Sequence, residues 1–488
     1  MSESGRMELS FTPEHAALFS ALSGDRNPLH LDPGYARRTP YGRPVLFGVA
    51  AVLAALGAWA GGRRFRLSGL RAVFDQPLFT GIGYTLAWTG QDGRVELKLL
   101  KGSQVRTRIS FRWEAPGAPG QPAAPVPFQP LAAARERAAA DLPATLEDYP
   151  YAPDWSQAGP FQERFGLGPD QWPPAQLAAL LFASYFIGMD CPGRQALFAE
   201  LKISFHGTAA FRPGNLALSY HPGFSLLEVA GSGATAFTLK AFLRPGPVLH
   251  PLAEVRAEVG ASAAMAGRKV LVTGASRGFG AVLAKALALQ GAEVGLNYRS
   301  GHAEAEAVLA ELGPGPGRAL LLPGDLGRSA DCARVALAAA AGLGSLDLLV
   351  CNASPAIEAR PFLAQTAAEC LGFVQDSLAM LVGPLRELLP GLKPGATVVY
   401  VSSAYVRSPQ AQFSHYLAAK GAAEGLVRGL AEEFRHLRFI IFRPPRMLTD
   451  QTSAPFDPDP GVSAITVAKQ LLEVLMRAKT DSGLTELG

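Results

Sequence analysis

The sequence contains few cysteines and few lysines, and neither positive nor negative charge dominates it. Its four cysteines, Cys191, Cys332, Cys351 and Cys370, form no CxxC pair, so their spacing indicates neither a disulfide framework nor a bound metal. Only ten of the 45 basic residues are lysines and the net charge is +4, which argues against a nucleic-acid partner. Charged residues make up 18% and hydrophobic residues 48% of the chain, a balance that excludes disorder throughout and suits several globular cores.

The sequence also lacks a long apolar run. Its first residues, Met1 to Arg6, lead into no apolar segment of the kind that a signal peptide has. The most apolar stretch, 45–62, is rich in alanine and glycine and only reaches the shortest length that spans a membrane. A membrane-spanning helix is the alternative, but we expect a buried core helix, no membrane partner and a cytoplasmic location.

Two connecting stretches, the first rich in proline, alanine and glycine, divide the chain. Its 488 residues suggest two to four domains at roughly 100–200 residues each. Stretches of this composition are typical of linkers. We therefore predict a first domain at 1–114, a linker at 115–144, a second domain at 145–246, a linker at 247–267 and a third domain at 268–488.

The first two domains share one pattern, an apolar helix followed by several short strands. The helices are predicted at 45–59 and 174–189, and LRAVFDQPLFTG (70–81) resembles LKISFHGTAAFRPG (201–214). A long apolar helix needs a sheet that wraps around it, so two α+β units side by side are expected. The strands are predicted near 70–74, 83–89, 95–100 and 105–113, and then near 202–205, 216–220, 225–230 and 236–243.

The third domain alternates short apolar strands with helices. This order predicts an α/β fold, in which a doubly wound parallel sheet carries helices on both faces. The strands are predicted at 270–273, 293–297, 319–322, 346–350, 397–402 and 439–442.

A glycine-rich turn follows the first strand of the third domain. Gly274, Gly278 and Gly280 lie between the strand KVLV and an apolar helix. Such a turn lets backbone amides approach a pyrophosphate at the N-terminus of the helix. A tight strand-to-helix turn without a ligand is the alternative.

The third domain resembles the short-chain dehydrogenase/reductase family over about 170 residues. The resemblance rests on the TGxxxGxG turn, on an aspartate after the third strand, on CNAS after the fourth, and on a serine followed by YxxxK at the family's spacing. It implies a Rossmann-type fold with Ser403, Tyr416 and Lys420 as catalytic residues. The cofactor site that we predict consists of Gly274, Ser276, Arg277, Gly278, Gly280, Arg299, Asp325, Asn352, Tyr416 and Lys420.

The Tyr416 and Lys420 pair suits the reduction of a carbonyl. Hydride addition to a ketone leaves an alkoxide that needs a proton, and the pKa of a free tyrosine, about 10, is too high for easy exchange. A neighbouring cation lowers that pKa, and Lys420 follows one helical turn later on the same face. Ser403 would then hold the carbonyl oxygen. A buried tyrosine beside a surface lysine is the alternative.

The charge around the predicted cofactor site favours NADPH. An acidic residue at the end of the second strand would accept the ribose hydroxyls of NAD. The sequence there, 296–300, has no acid but includes Arg299, and the glycine turn includes Arg277. Both could meet a 2′-phosphate, and the alternative is that both arginines are merely solvated.

The third domain departs from the family at several positions. Cys351 and Ser354 replace the first Asn and the Gly of its NNAG motif, and Ser377 stands where a helical asparagine completes the proton relay. The stretch 447–462 is short for a substrate lid. We expect an open site that suits a long or tethered substrate, and a catalytically silent reductase is the alternative.

An Asp/His pair lies in the first domain. Asp25 and His30 are five residues apart in SGDRNPLH and can act as a general acid and base. An Asx-turn before Pro28 with a capping histidine is the alternative. The string resembles the signature of the MaoC-like (R)-hydratase and dehydratase family, which has a hot-dog fold. The resemblance implies that Asp25 and His30 act on the 3-hydroxyl and the C2 proton of a 3-hydroxyacyl thioester, and that the Gly48 amide binds the thioester carbonyl.

The second domain lacks this signature, so we expect a non-catalytic half. The predicted fold is an α+β double hot-dog followed by an α/β Rossmann-type domain. The predicted function is an NADPH-dependent 3-ketoacyl-thioester reductase and 3-hydroxyacyl-thioester dehydratase. Its substrates would be acyl-carrier-protein or acyl-CoA thioesters in fatty-acid or polyketide-type biosynthesis. The alternatives are an (R)-enoyl-CoA hydratase/3-hydroxyacyl-CoA dehydrogenase of acyl breakdown and a catalytically weak scaffold of a synthase complex. Both resemblances imply a homo-oligomer.

Overall fold

The computed structural model divides into two compact units, which follow one another in the sequence at Gly246 and Pro247. Residues 116–127 of the predicted linker and residues 454–458 and 460 of the predicted lid lie outside the described part of the chain. Within that part, no helix combines the length and the apolar character that crossing a membrane requires. The structure describes residues 2–115, 128–168, 171–207, 209–313, 319–453, 459, 461–477 and 483–488.

The first unit contains six helices and ten strands among its described residues. The helices are α1 (Pro13–Ser23), α2 (Pro28–Leu31), α3 (Pro33–Ala36), α4 (Gly48–Ala60), α5 (Ala158–Phe165) and α6 (Pro174–Tyr185). The strands are β1 (Ser2–Ser10), β2 (Arg66–Phe74), β3 (Gly83–Gln91), β4 (Arg94–Lys101), β5 (Gln104–Glu114), β6 (Thr145–Tyr149), β7 (Ala196–Phe205), β8 (Gly214–His221), β9 (Leu226–Gly231) and β10 (Thr235–Leu243).

The ten strands form one sheet in the order β1-β3-β4-β5-β2-β7-β10-β9-β8-β6. The order is symmetric about its centre, because β6, β8, β9, β10 and β7 in the second half correspond to β1, β3, β4, β5 and β2 in the first. The halves join where β2 pairs antiparallel with β7, with Ala72 opposite Leu201. This is the repeat that the two similar segments predict, and it confirms the double hot-dog.

Each half supplies one apolar helix to the core inside the sheet. Helix α4 is buried nearly all round, which explains why its sequence is as apolar as a membrane segment. It begins at Gly48, three residues later than predicted, because the amides of Val45 and Leu46 bond to the carbonyls of Leu29 and Leu78 and not within a helix. Helix α6 ends at Tyr185 and continues as a π-helical turn, Phe186–Asp190, where one regular helix to 189 is predicted.

The two outermost strands, β1 and β6, are not predicted from the sequence. Both are edge strands, so each pairs with only one neighbour, and their sequences SESGRMELS and TLEDY are mostly polar. A strand with little buried surface lacks the apolar alternation by which strands are recognised.

The described end of the predicted first linker packs against the second half. The guanidinium groups of Arg135 and Arg137 lie 2.7 and 2.9 Å from Oδ1 of buried Asp190, and the Tyr149 hydroxyl donates to its other oxygen at 2.6 Å. Residues 128–144 of the predicted linker are therefore tied to the π-helical turn through these two arginines.

The second unit is built on a seven-stranded sheet. Its helices are α7 (Leu252–Val259), α8 (Gly278–Leu289), α9 (His302–Leu312), α10 (Ser329–Leu343), α11 (Ala367–Leu388), α12 (Ser414–Glu433) and α13 (Ala464–Met476). Its strands are β11 (Lys269–Val272), β12 (Glu293–Tyr298), β13 (Ala319–Pro323), β14 (Leu346–Cys351), β15 (Leu392–Val401), β16 (Arg438–Phe442), β17 (Met447–Leu448), β18 (Val462–Ser463) and β19 (Gly483–Leu487).

The sheet has the order β13-β12-β11-β14-β15-β16-β19, and every neighbouring pair is parallel. Helices α7, α8, α9 and α13 share a core on one face, and α10, α11 and α12 share a core on the other. The strand order reverses between β11 and β14, so the carboxyl ends of these strands open a crevice. This confirms the doubly wound Rossmann-type fold.

Helix α7 and strand β19 are among the elements of the second unit that the sequence does not predict. Helix α7 lies inside the predicted linker 247–267, and its Val255 is fully buried in a core. The last residues, 483–487, form β19 beside β16. The sequence LTELG shows no apolar run because an edge strand needs little burial.

A buried ion network joins α12 to the end of β16 and to β19. The Arg443 guanidinium donates to both carboxylate oxygens of Glu424, at 2.8 and 2.6 Å, and to Glu486 at 2.8 Å. The side chains of Arg443 and Glu424 are each only 2% exposed. Hydrogen bonds from Arg428 and Arg443 lower the pKa of Glu486 to about 2.

We expect Arg443→Met to destabilise the second unit by about 3 kcal/mol, because it leaves Glu424 charged and poorly paired away from water. This loss lies at the low end for a broken buried ion pair, because Arg428 still donates a hydrogen bond to Glu424 at 3.0 Å. Urea unfolding measures the loss. Arg435→Met, which breaks an exposed pair with Glu432, is the matched control and should cost at most about 1 kcal/mol. Equal losses in both variants would contradict this role.

Candidate active sites

The loop after α1 is shaped by its own sequence. Helix α1 ends because Gly24 takes a left-handed φ of 77°. The Asn27 side chain then caps α2 by accepting from the Leu29 amide at 3.0 Å. Its Nδ2 donates to the carbonyls of Gly188 and Gly193, at 2.7 and 3.1 Å. Asn27 therefore fixes the loop that carries Asp25 and His30 against the second half of the double hot-dog.

Asp25 is buried and only 1% exposed. The Ser184 hydroxyl donates to Oδ2 at 2.8 Å, and the Asn27 amide donates to Oδ1 at 3.1 Å. A side chain at Gly188 would place its Cβ 2.7 Å from both carboxylate oxygens, so only glycine fits there. Burial raises the pKa of Asp25 to about 7 against these two hydrogen bonds, so at neutral pH much of this carboxyl keeps its proton.

His30 is held in one tautomer. Its Nδ1 lies 2.7 Å from the Val45 carbonyl oxygen, which can only accept, so the proton is on Nδ1. The Phe47 ring packs on the imidazole with 4.0 Å between centroids. Burial lowers the pKa of His30 to about 4, and the ring is neutral at pH 7. Its Nε2 therefore carries a lone pair that can take a proton.

Gly48 is the first residue of α4 and follows the Phe47 that touches His30. The first amides of a helix have no partner within the helix, so the Gly48 amide can donate to a ligand. A Cβ at this position would lie 2.8 Å from the ring of Phe74. These contacts are compatible with the predicted role at a thioester carbonyl, which stays a prediction.

The sequence does not reveal the two residues that hold Asp25 from the second half. Ser184 and Gly188 lie in LFASYFIGM, a stretch whose composition predicts core packing, with the lining of an acyl tunnel as the alternative. They become part of the site because α6 and its π-helical turn pack beside the loop. The half that is predicted to be non-catalytic thus supports the acid of the other half.

We expect Ser184→Ala to move the pH profile of this site. The serine hydroxyl stabilises the carboxylate, so its removal raises the pKa of Asp25 further, by roughly one unit for a hydrogen bond to a charged group. If Asp25 acts as the protonated acid, the basic limb of the dehydration profile moves to higher pH. Ser20→Ala, at another buried serine of the unit, is the control. A limb that stays in place or moves to lower pH would contradict the role of Ser184.

In the second unit, the glycine turn between β11 and α8 fits a dinucleotide. Gly274 and Gly278 take left-handed φ values of 65° and 56°. A Cβ on Gly280 would lie 2.2 Å from the Gly274 carbonyl oxygen. The turn thus requires glycine at all three positions, and it brings the free amides at the start of α8 to the crevice.

Asn352 and Asp325 stand after β14 and β13, as predicted. The Asn352 side chain donates to the carbonyls of Thr273 and Gly274, at 3.1 and 3.2 Å, so it holds the glycine turn in place. The Asp325 carboxylate accepts from the Gly327 amide at 3.1 Å, which closes its own turn. Both residues lie at the carboxyl edge of the sheet.

The remaining predicted cofactor residues also lie at this edge. Ser276 is half-buried in the glycine turn, and Arg299 is exposed directly after β12. Arg277 precedes α8, and its Nη1 lies 3.9 Å from Oδ2 of Asp450. The charge of Arg277 is therefore partly compensated, whereas Arg299 projects from the strand end that distinguishes the two nicotinamide cofactors.

Ser403, Tyr416 and Lys420 meet after β15, each less than a tenth exposed. The Lys420 ammonium donates to the Val401 carbonyl at 2.8 Å and lies 5.7 Å from the centre of the Tyr416 ring. Burial lowers the pKa of Lys420 to about 8, so it still carries charge at pH 7. Burial raises the pKa of Tyr416, opposed by the hydrogen bond with Ser403. The lowering of this pKa that the sequence predicts from Lys420 is not found, since the hydrogen bond with Ser403 is what opposes burial.

Ser377 lies beside this pair but bonds within its own helix. Its hydroxyl donates to the Phe373 carbonyl at 2.7 Å, so its proton is not directed at the tyrosine. Ser377, Tyr416 and Lys420 line one cavity, together with Cys351, Ala353, Ser354, Pro355, Met380, Leu381, Tyr400 and Ala419.

Comparisons with known proteins find a family match in each unit of the chain. Residues 268–457 match the family model of the short chain dehydrogenase, and residues 3–101 match the MaoC like domain. Glucose 1-dehydrogenase of Gluconobacter oxydans is 32% identical over 192 residues, which cover 38% of this chain and 71% of that protein. The NADPH-dependent aldehyde reductase-like protein of Arabidopsis thaliana is 29% identical over 187 residues, which cover 35% and 68%.

Solved structures are similar to the second unit. A dehydrogenase/reductase from Sinorhizobium meliloti is 27% identical, with a TM-score of 0.42 over 46% of this chain and 95% of that one. A short chain dehydrogenase from Burkholderia cenocepacia in complex with NADP is 25% identical, with a TM-score of 0.42 over 46% and 97%.

The family matches agree with the geometry, in which a Tyr–Lys pair lies after β15 and an Asp/His loop lies beside α4. They describe a fusion of a dehydratase-type domain with an oxidoreductase domain of the kind that uses a nicotinamide cofactor. The chain therefore belongs to the short-chain dehydrogenase family, and it carries a MaoC-like domain ahead of that domain.

Proposed function

We propose that the protein reduces a 3-ketoacyl thioester and removes water from the resulting 3-hydroxyacyl thioester. One observation carries the proposal. A single chain contains an Asp/His pair with oppositely shifted pKa values and a buried Tyr–Lys pair beside a dinucleotide turn. The product of the second site, a hydroxyl at C3, is the group that the first site would eliminate.

In the reduction, the glycine turn and Asn352 would hold a nicotinamide cofactor, which would be the source of hydride for the C3 carbonyl. Ser403 and Tyr416 donate hydrogen bonds to the carbonyl oxygen, which orients the substrate. Tyr416 then transfers its proton to the oxygen as negative charge develops there. The ammonium of Lys420 stabilises the tyrosinate that is left, because it is a buried cation within reach of the ring.

In the dehydration, the opposite pKa shifts assign the two roles. His30 is neutral with a free Nε2, so it takes the proton from C2. Asp25 keeps its proton near pH 7, so it protonates the leaving hydroxyl. The Gly48 amide donates to the thioester oxygen, on which charge develops as the C2 proton leaves. The trans-2-enoyl thioester and water are the products.

We propose NADPH as the cofactor, because the end of β12 offers exposed Arg299 and no acid. A cation there favours a 2′-phosphate, whereas a carboxylate would repel it. Rates of reduction with NADPH and with NADH test the assignment. Faster turnover with NADH would overturn it and would also remove the reason to place the protein in synthesis rather than in acyl breakdown.

The proposed sequence of reactions is tested by incubating the protein with a 3-ketoacyl-CoA and NADPH and following the products by mass spectrometry. The enoyl thioester is the expected product. Accumulation of the hydroxyacyl thioester alone would mean that the Asp25 site is inactive. No turnover of any thioester with either cofactor would support a scaffold role. The same assay with the acyl group on a carrier protein distinguishes the two carriers.

A further inference from the structure

Arg244 is a buried cation for which the described residues supply no carboxylate partner. It follows β10, is 4% exposed, and donates through Nη2 to the Tyr35 hydroxyl at 3.2 Å and to the Arg194 carbonyl at 3.1 Å. Its Nε is enclosed and makes no hydrogen bond in the described part of the chain. Both acceptors are neutral, so the positive charge itself is not compensated.

The neighbouring arginines are paired in the ordinary way. Arg194, which is far more exposed, lies 3.4 Å from Glu136, and Arg135 and Arg137 share Asp190. A guanidinium withdrawn from water is costly unless it meets an anion. Arg244 is buried in spite of this unfavourable free energy. Such an arrangement is expected when a ligand supplies the counter-ion.

Arg244 lies beside the proposed base. Tyr35, to which it donates, comes five residues after His30 in the same pair of short helices. Burial is the main cause of the lowered pKa of His30, and the charge of Arg244 adds to it. The same charge opposes the raised pKa of Tyr41, whose main cause is also burial. The cation is therefore hydrogen-bonded to the segment that carries His30, and its charge acts on that residue.

We propose that Arg244 is an anion-binding residue of the dehydratase site, and that it receives an oxyanion of the thioester substrate. The proposal rests on the proposed function, because it assumes that a thioester enters beside His30. Two parts of such a substrate carry the required chemistry. One is a carboxylate on the acyl chain, and the other is a phosphate of the arm that bears the thioester. Either would pair with the unsatisfied side of the guanidinium.

The experiment measures binding of saturated thioesters, which cannot be dehydrated or reduced. Four ligands are compared by calorimetry on the full-length protein: acyl-CoA with a terminal carboxylate, acyl-CoA of the same length with a methyl terminus, and the pantetheine thioester of each, which has no phosphate. Wild type should bind at least one charged type about tenfold or more tightly than the neutral pantetheine thioester.

Arg244→Gln should remove that preference and leave the neutral thioester bound as before, whereas Arg244→Lys should retain part of it. Loss confined to the carboxylated acyl groups identifies the acyl chain as the source, and loss confined to the two CoA esters identifies the phosphates. Arg194→Gln, at the neighbouring exposed arginine, is the matched control and should bind all four ligands like wild type.

Two results would overturn the proposal and leave the thioester function standing. One is equal affinity of wild type for all four ligands, a measurement that holds even if Arg244→Gln does not fold. The other is an Arg244→Gln protein that folds and loses the neutral thioester as strongly as the charged ones, which indicates a structural role. If wild type binds none of the four, the thioester function itself is wrong and this proposal falls with it.

Discussion

Tyr416→Phe should slow the reduction of a 3-ketoacyl thioester about 10²- to 10⁴-fold, the range for loss of a positioned proton donor. The variant keeps the ring that packs against Tyr405 and Phe413 and removes only the hydroxyl. Lys420 keeps its hydrogen bond to Val401, so the fold around the site should not change. The rate is measured from the consumption of NADPH with a 3-ketoacyl-CoA.

The same Tyr416→Phe protein should hydrate an enoyl-CoA at the wild-type rate. Tyr405→Phe is the matched control, since it removes one hydroxyl from the neighbouring ring and should reduce substrate nearly normally. A Tyr416→Phe protein that reduces substrate as fast as this control would show that the proton comes from another group. If Tyr416→Phe also lost the hydration activity, the two activities would not have separate sites.

His30→Ala should have the opposite effect, slowing dehydration about 10²- to 10⁴-fold while reduction continues. In wild type, Nδ1 of His30 donates to the Val45 carbonyl, so Nε2 is the nitrogen that can accept a proton. The variant removes this acceptor. It also removes the ring against Phe47, so a thermal unfolding curve is needed to separate catalysis from stability. The rate is measured from the absorbance of the enoyl thioester.

His206→Ala is the matched control for His30→Ala, because His206 lies exposed in the same unit. It should dehydrate substrate at the wild-type rate. With a 3-ketoacyl thioester and NADPH, His30→Ala should accumulate the hydroxyacyl thioester, the intermediate that wild type consumes. An enoyl product formed by His30→Ala at the wild-type rate would exclude His30 as the base.

Much of the fold follows from the sequence because apolar pattern and burial agree. Helix α4 reads as a core helix, and its sheet wraps it. The parallel strands of the second unit are short apolar runs, which is how strands buried on both faces appear. Strands β1 and β19 are not found by this criterion, because edge strands bury little and their pairing is decided by distant partners.

The residues of the candidate sites also fall into two groups, those that the sequence reveals and those that only the fold brings into place. The residues of local motifs, such as Asp25 with His30 and Tyr416 with Lys420, can be recognised because a turn or one helical repeat fixes their spacing. Ser184 lies 159 positions away from Asp25, and only the packing of the two halves brings the pair within 2.8 Å. The sequence does not single out Arg244 either, because its burial without a carboxylate among the described residues depends on the fold and not on its neighbours in the sequence.

The use of both sites on one substrate can be measured directly with NADPH that carries deuterium at the transferable position. The hydride enters at C3, and dehydration removes the hydroxyl from C3 and a proton from C2, so the label stays in the product. We expect the protein to convert a 3-ketoacyl thioester into an enoyl thioester that carries one deuterium at C3. An unlabelled enoyl product, or a labelled hydroxyacyl thioester that is never dehydrated, would contradict a consecutive reductase and dehydratase on this chain.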